Sequence, residues 1–316
     1  MMRIFLLIAG FILFLCRDYI RAAPIEWHFI FFIAGIVLLG IPHGAADLLV
    51  GSQNARGRNS SFTVLGFLSV YISRLLIFGC VIYFFPVAGL LCFLLFAAYH
   101  FGETDLFFLA TNTLVGKIVV ASYGLVILSV ILLGNAADLK QFLETSGYAT
   151  DMLPFIDLVE KNRYILLSVA LVFFFCCIFL YFISQKNTVL VTDTFLLHFG
   201  LLVFILYHLP LLTGFTFYFV VWHSVLSLQN IISYLRKSGN YSYKVIMKQI
   251  SFFALLALAG IGVSGLAGFM YSNNEAVMLY FILGLAVLTA PHMQVMHSMY
   301  NQIRGTGIKE EEIPDK

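Results

Sequence analysis

Residues 27–50 read WHFIFFIAGIVLLGIPHGAADLLV. From Trp27 to Ala46 there is no Lys, Arg, Asp or Glu over 20 residues. A helix needs about 20 apolar residues to cross the hydrocarbon core of a bilayer, so this stretch reads as a membrane span. Its second half carries Pro42, His43 and Asp47. Ionisable groups inside a bilayer are expensive and by default mark function. One stretch therefore announces both the solvent of the fold and the place to look for chemistry.

The rest of the chain agrees. Of its 316 residues, 61% are apolar and 11% charged, and the mean hydropathy is +0.96. A soluble domain carries roughly 25% charged residues; this chain cannot cover a water-facing surface and reads as an all-α, polytopic membrane bundle. Ten spans are expected, at about 3–20, 27–50, 62–85, 87–110, 114–134, 163–184, 190–210, 214–235, 248–271 and 276–303. Residues 1–303 form one transmembrane domain. The connection at about 136–161 sets Leu139, Phe142, Leu143, Leu153, Phe155, Ile156 and Leu158 among charges, as an interfacial amphipathic segment does. Residues 304–316 read as a polar cytoplasmic tail. The first apolar run lacks a small-x-small cleavage site followed by a soluble domain, and reads as a retained helix.

Net charge is +2, too small to suggest a nucleic-acid partner. The five cysteines all fall in apolar stretches without C-x-x-C spacing, and read as buried small hydrophobes. Twelve basic residues fall on one side of the expected topology (Arg3, Arg56, Arg58, Lys117, Lys186, Arg236, Lys237, Lys244, Lys248, Arg304, Lys309, Lys316) and five on the other (Arg17, Arg21, Lys140, Lys161, Arg163). The positive-inside rule then makes both termini cytoplasmic, in a cell inner (plasma) membrane. Arg74 lies inside a span, where it would neutralise Asp105 or Asp47.

Eight histidines against 34 charges, 18 basic and 16 acidic, is an over-supply. His43 lies on the second expected span, His100 on the fourth, His223 on the eighth, and His292 with His297 on the tenth. These spans are all even-numbered and run in one direction, and His43, His100, His223 and His292 fall at similar depth near the midplane. Four converging neutral imidazoles make a metal site, suited to iron, copper or zinc. Asp47 follows His43 by four residues and Glu103 follows His100 by three. That spacing places each carboxylate on its own histidine's face, where it would orient the ring from behind. Pro42 and Pro291 each precede a histidine, free the carbonyls of Leu38 and Val287, and bend the helix there. A lone intramembrane histidine is more often an interhelical hydrogen-bonding partner, which is the reading for His198 and His208. His28, beside Trp27 at a span end, reads as interfacial.

The strings Pro-His-Gly-Ala-x-Asp at 42–47, His-Phe-Gly-x-x-Asp at 100–105, Trp-His-Ser at 222–224 and Pro-His-Met at 291–293 together resemble the Brp/Blh family of membrane-integral bacterial β-carotene 15,15′-dioxygenases. The resemblance runs over nearly the whole chain and rests on the ordered set rather than on one motif. It implies a non-haem Fe(II) enzyme that cleaves the central double bond of β-carotene with O2 to give two retinals, supplied to a microbial rhodopsin. It implies His43, His100 and His223 as iron ligands. Many family members carry a further histidine four residues after the third; Ser227 stands there in this chain. His292, His297 or a water then completes the shell, and Pro291 beside it favours His292. Asp47, Glu103 and Asp105 would balance charge around the ligands. Two other classes compete. A di-metal lipid or carotenoid hydroxylase or desaturase would show His-x-x-x-His and His-x-x-His-His clusters, which are missing. A proton-coupled transporter would favour internal repeats, and none is convincing.

Overall fold

The computed structural model describes residues 1–145, 153–184, 193–239, 241–271 and 274–305. Those residues form helices and connections, with no strand among them. In chain order the helices are α1 (Met2–Leu15), α2 (Arg17–Ala22), α3 (Ile25–Gly35), α4 (Ile41–Gly44), α5 (Asp47–Gly57), α6 (Val64–Phe84), α7 (Pro86–Asp105), α8 (Leu114–Gly134), α9 (Ala136–Thr145), α10 (Leu153–Lys161), α11 (Arg163–Ser184), α12 (Asp193–His208), α13 (Leu211–Phe215), α14 (Ser224–Gly239), α15 (Tyr243–Tyr271) and α16 (Asn274–Gly305). Two segments are wound as π-helix: Ile36–Gly40, between α3 and α4, and Thr216–His223, between α13 and α14.

Among the described residues, six helical stretches are long and apolar enough to cross a membrane: Ile25–Gly57, Val64–Phe84, Pro86–Asp105, Leu114–Gly134, Arg163–Ser184 and Leu211–Lys237. Met2–Leu15 and Phe195–His208 are apolar but shorter. The expected count of ten is not confirmed. The first expected span is cut where α1 gives way to the short α2 at Arg17 and Asp18. The second is longer than expected and is broken by its π segment and by a turn at Ala45–Ala46. Parts of the expected spans 190–210, 248–271 and 276–303, and the tail beyond Gly305, lie outside the described residues or side chains.

The depth of each helix follows from its side chains. α8 buries residues on every face, from Val119 and Val120 through Tyr123, Val126 and Ile127 to Ile131, and is the central post. α6 exposes Leu65, Ile72, Leu76 and Ile77 and buries Phe78; such an apolar face is what a peripheral helix shows to lipid. α7 approaches α8 closely through small residues. A Cβ on Gly102 would run into the Val120 carbonyl, and one on Gly124 into that of Ala98. Without a hydrophobic drive between helices in lipid, such small-residue contacts carry much of the packing. α16 packs against α5, α6 and α7, which brings its middle to the ends of α4 and α7.

Three expectations change here. His28 is not interfacial: it is buried, with Nδ1 2.9 Å from the Thr213 hydroxyl, and so ties α3 to α13. Cys16, Cys80, Cys92 and Cys176 are exposed and only Cys177 is buried; in an apolar belt a small hydrophobe is as content against lipid as against protein. His208 bonds within its own helix and not across to another: its Nδ1 lies 2.8 Å from the Phe204 carbonyl, and its ring sits among Phe14, Phe204 and Tyr207. The interfacial connection is two helices, α9 and α10, joined by Lys140–Asp157 at 2.7 Å. Its middle, residues 146–152, lies outside the described residues.

Candidate metal centre

His43 is on α4, His100 near the end of α7, His223 at the end of the second π segment, and His292 directly after Pro291 inside α16. All four are buried, from 0% to 5% exposed. Their rings form a closed circuit. Centroids lie 4.7 Å apart for His43–His292, 5.2 Å for His292–His100, 4.8 Å for His100–His223 and 5.6 Å for His223–His43, all edge to face. Two imidazoles bound to one ion at about 2.1 Å have centroids about 5 Å apart. The four rings thus lie at centroid spacings compatible with a shared cation.

The hydrogen bonds identify which nitrogens are free. The Ser224 hydroxyl lies 3.1 Å from the Phe219 carbonyl and 3.2 Å from His43 Nδ1. A hydroxyl has one proton. Given to the carbonyl, it leaves the Ser224 oxygen to accept from His43 Nδ1–H, and puts the lone pair on Nε2. His292 Nδ1 lies 2.7 Å from Asp47 Oδ1, and the Tyr71 hydroxyl donates to Asp47 Oδ2 at 3.0 Å. The carboxylate accepts from both, so His292 also keeps its lone pair on Nε2. Yet these two Nε2 atoms face each other at 3.1 Å. Two lone pairs at that distance repel unless a cation sits where both can face it.

The other two rings point the same way. Both nitrogens of His100 and both of His223 are buried without a hydrogen-bond partner among the described residues. Buried polar atoms are nearly always partnered, and exceptions call for an explanation. Phe219 stacks on His223 at 6.1 Å and Phe101 lies 4.8 Å from it, closing that side with apolar rings. The donor set, neutral nitrogens in a buried pocket, fits a divalent transition metal. The set is gathered rather than finished: among the described residues no group of three His, Cys, Asp or Glu side chains is already posed as a metal-holding set. The fit is one of donor chemistry and ring spacing, with only the His43–His292 nitrogens in direct register.

The carboxylates are assigned differently from the expectation. Asp47 serves His292, not His43, because the turn at Ala45–Ala46 breaks the i, i+4 register that would have stacked them. Glu103 serves neither His100 nor the cluster. Its Oε1 meets His297 Nδ1 at 2.9 Å and Arg304 at 2.9 Å. That removes His297 from the ring of four, as its i+5 offset from His292 on a continuous α16 implies. Asp105 is buried and accepts from Tyr123 at 2.8 Å, Tyr218 at 3.1 Å and the Trp222 indole at 3.2 Å, so it anchors the residue before His223 and does not face the cluster itself. Arg74 pairs with neither Asp47 nor Asp105; their partners are those just given. Ser227 is buried one turn beyond His223, beside Tyr300.

Sequence reasoning missed Tyr71, Ser224 and Phe219 as parts of the site. Ser224 follows His223 in sequence but serves His43, a pairing across helices that adjacency did not signal. Tyr71 carried none, since only the packing of α6 on α5 brings it to Asp47. The π segments were missed as well. π-Turns are frequent at functional sites, and here each leads into a cluster histidine.

Compared with known proteins, residues 34–300 match the sequence model of the family described as Beta-carotene 15,15'-dioxygenase. A curated relative, the Beta-carotene 15,15'-dioxygenase of Uncultured marine bacterium 66A03, is 26% identical over 266 residues, covering 83% of this chain and 90% of that one. No solved structure matches the chain. All four cluster histidines fall inside the matched region, and the chain belongs to the beta-carotene 15,15'-dioxygenase family.

Proposed function

We propose that this protein is a membrane-embedded, non-haem iron dioxygenase that cleaves the central double bond of β-carotene with O2. The observation that carries the iron is the His43–His292 contact: two Nε2 lone pairs, each fixed by a partner on the far side of its ring, 3.1 Å apart. The carotenoid comes from the name that the family and the relative share. His43, His100, His223 and His292 would hold Fe(II), which supplies O2 binding and activation when bound. Neutral ligands leave the ion's charge undiminished, and among the described residues the one carboxylate in hydrogen-bonding contact with the ring of four, Asp47, stands behind His292.

The protein's own share is binding, orientation and exclusion of water. Ser224 orients His43 and Asp47 orients His292. Phe101 and Phe219 keep the His223 side dry. A carotenoid dissolved in the bilayer reaches such a site laterally, without first being stripped of water. The reaction breaks the C15–C15′ double bond and places one oxygen atom of O2 on each carbon. Two retinals result, and no proton or external reductant is consumed. Retinal released into the same bilayer is there for a rhodopsin to collect.

The test is expression in a β-carotene-accumulating host. Cells should bleach from orange and their extracts should contain retinal. His43→Ala, His100→Ala and His223→Ala should each abolish retinal formation with the protein still inserted. Full activity in all three would end the proposal. Iron analysis of the purified protein separates this reading from a proton held between His43 and His292, as a proton-coupled transporter would have. That arrangement needs no metal, whereas the proposal needs one iron per chain. Two irons per chain would favour a di-metal hydroxylase or desaturase.

A further inference from the structure

A cavity of about 370 Å³ opens between the α5–α6 connection, the first half of α6 and α16. Its walls carry two guanidinium groups, Arg58 and Arg74, and the hydroxyls of Ser60, Ser61, Thr63 and Ser298. Among the described residues no carboxylate lines it. The nearest acid on α5, Asp47, is engaged by Tyr71 and His292. Arg58 spends its Nε on the Asn54 carbonyl at 3.3 Å, which leaves its two terminal nitrogens uncommitted among the described residues.

Arg74 is the more telling of the two. It stands ten residues into α6, about 15 Å along the helix from its start, on a stretch apolar enough to cross a membrane. It is half-buried and has no ion-pair or hydrogen-bond partner among the described residues. An unneutralised cation in a span is costly unless it reaches the headgroup region or receives an anion. Here it shares a space with a second arginine and the hydroxyls of Ser61, Thr63 and Ser298, the Ser60 proton being given to the Ala55 carbonyl at 3.1 Å. Guanidinium forks match phosphate oxygens two at a time, and hydroxyls add further donors. The Thr63 side chain caps α6 through the Gly66 N–H, so the remaining free N–H groups of the first turn add to the positive potential at the mouth.

We propose that this cavity binds a phosphate group. The carrier is either the headgroup of an anionic phospholipid or free inorganic phosphate; the cavity shares one wall residue, Tyr71, with the metal centre, where its hydroxyl holds Asp47. The test uses the full-length protein in detergent and in nanodiscs. In one arm, native mass spectrometry counts the phosphatidylglycerol and phosphatidylcholine retained from an equimolar mixture. In the other, inorganic phosphate is titrated against thermal stability.

Retention of phosphatidylglycerol over phosphatidylcholine should fall roughly tenfold or more in Arg58→Gln/Arg74→Gln. It should survive in Lys244→Gln/Lys248→Gln, which removes two charges elsewhere. Ser61→Glu, on the exposed connection, keeps both arginines and introduces a negative charge, so it should also expel the ligand with the fold intact. Stabilisation by inorganic phosphate alone, lost in the same variants, would support the site with free phosphate as its source. Equal retention of both lipids with no phosphate effect overturns the proposal, as does binding unchanged by both the arginine and the Ser61→Glu variants.

Discussion

Asp47 shows how much turns on a single side chain. It accepts from His292 at 2.7 Å and from Tyr71 at 3.0 Å, and so decides which nitrogen of His292 carries its lone pair. Asp47→Asn keeps the shape but exchanges a charged acceptor for an amide that can also donate. Iron content of the purified protein should fall, with affinity weakened roughly tenfold to a hundredfold. Unchanged iron content would mean that His292 is oriented by something else. Ser224→Ala removes one acceptor for His43, leaving the Gly40 and Leu39 carbonyls, and should act in the same direction. Tyr71→Phe, one bond further out, should have the smaller effect. The sequence made the four histidines visible because ionisable groups in a span stand out. It could not say which carboxylate serves which ring, because that depends on contacts across helices. Asp47 and His292 are 245 residues apart.

At the scale of the element, the π segment Thr216–His223 aims His223 and Trp222 at different partners: one at the histidine ring, the other at Asp105. Deleting Val220 from it should restore α-helical register and turn everything beyond by about 100°. Retinal formation should vanish while membrane insertion persists; a fully active deletion would show that the register is immaterial. The α7–α8 contact is tested by Gly124→Ala. The added methyl meets the Ala98 carbonyl, a backbone atom that cannot rotate away. The helices must separate, at a cost of about 1–3 kcal/mol visible as a lower melting temperature in detergent. Since Ala98 is two residues from His100, activity should fall with it. Helix existence was legible from apolar runs, and Pro42 hinted at the first break. The second π segment has no proline and no glycine within it, so nothing local marks it.

For the whole molecule, Asp105 acts as a junction. It joins α7 to α8 through Tyr123 and to the second π segment through Tyr218 and Trp222. Arg3 of α1 donates to its backbone carbonyl. Asp105→Ala would leave three buried donors without an acceptor and should cost about 3 kcal/mol or more, read as a large drop in melting temperature. If the melting temperature holds, the tyrosines have other partners and the junction is not structural. α1 precedes the matched region 34–300 yet buries Leu6 and Leu7, and sets Gly10 against the Phe217 ring. Its removal should therefore destabilise the bundle, even though the four histidines lie elsewhere.

The amino-acid sequence alone determined the solvent of this protein, its helical class and the four histidines, because hydrophobicity and the cost of intramembrane charge are properties of residues in order along the chain. It also brought Asp47, Glu103 and Arg74 to notice, but not their partners. Only the tertiary structure decided that Asp47 orients His292, that Glu103 belongs to His297 and Arg304, that Asp105 anchors Trp222, and that Arg74 faces a cavity instead of an acid. Those outcomes depend on where broken and π-wound helices turn their faces, and on which distant helix is packed there.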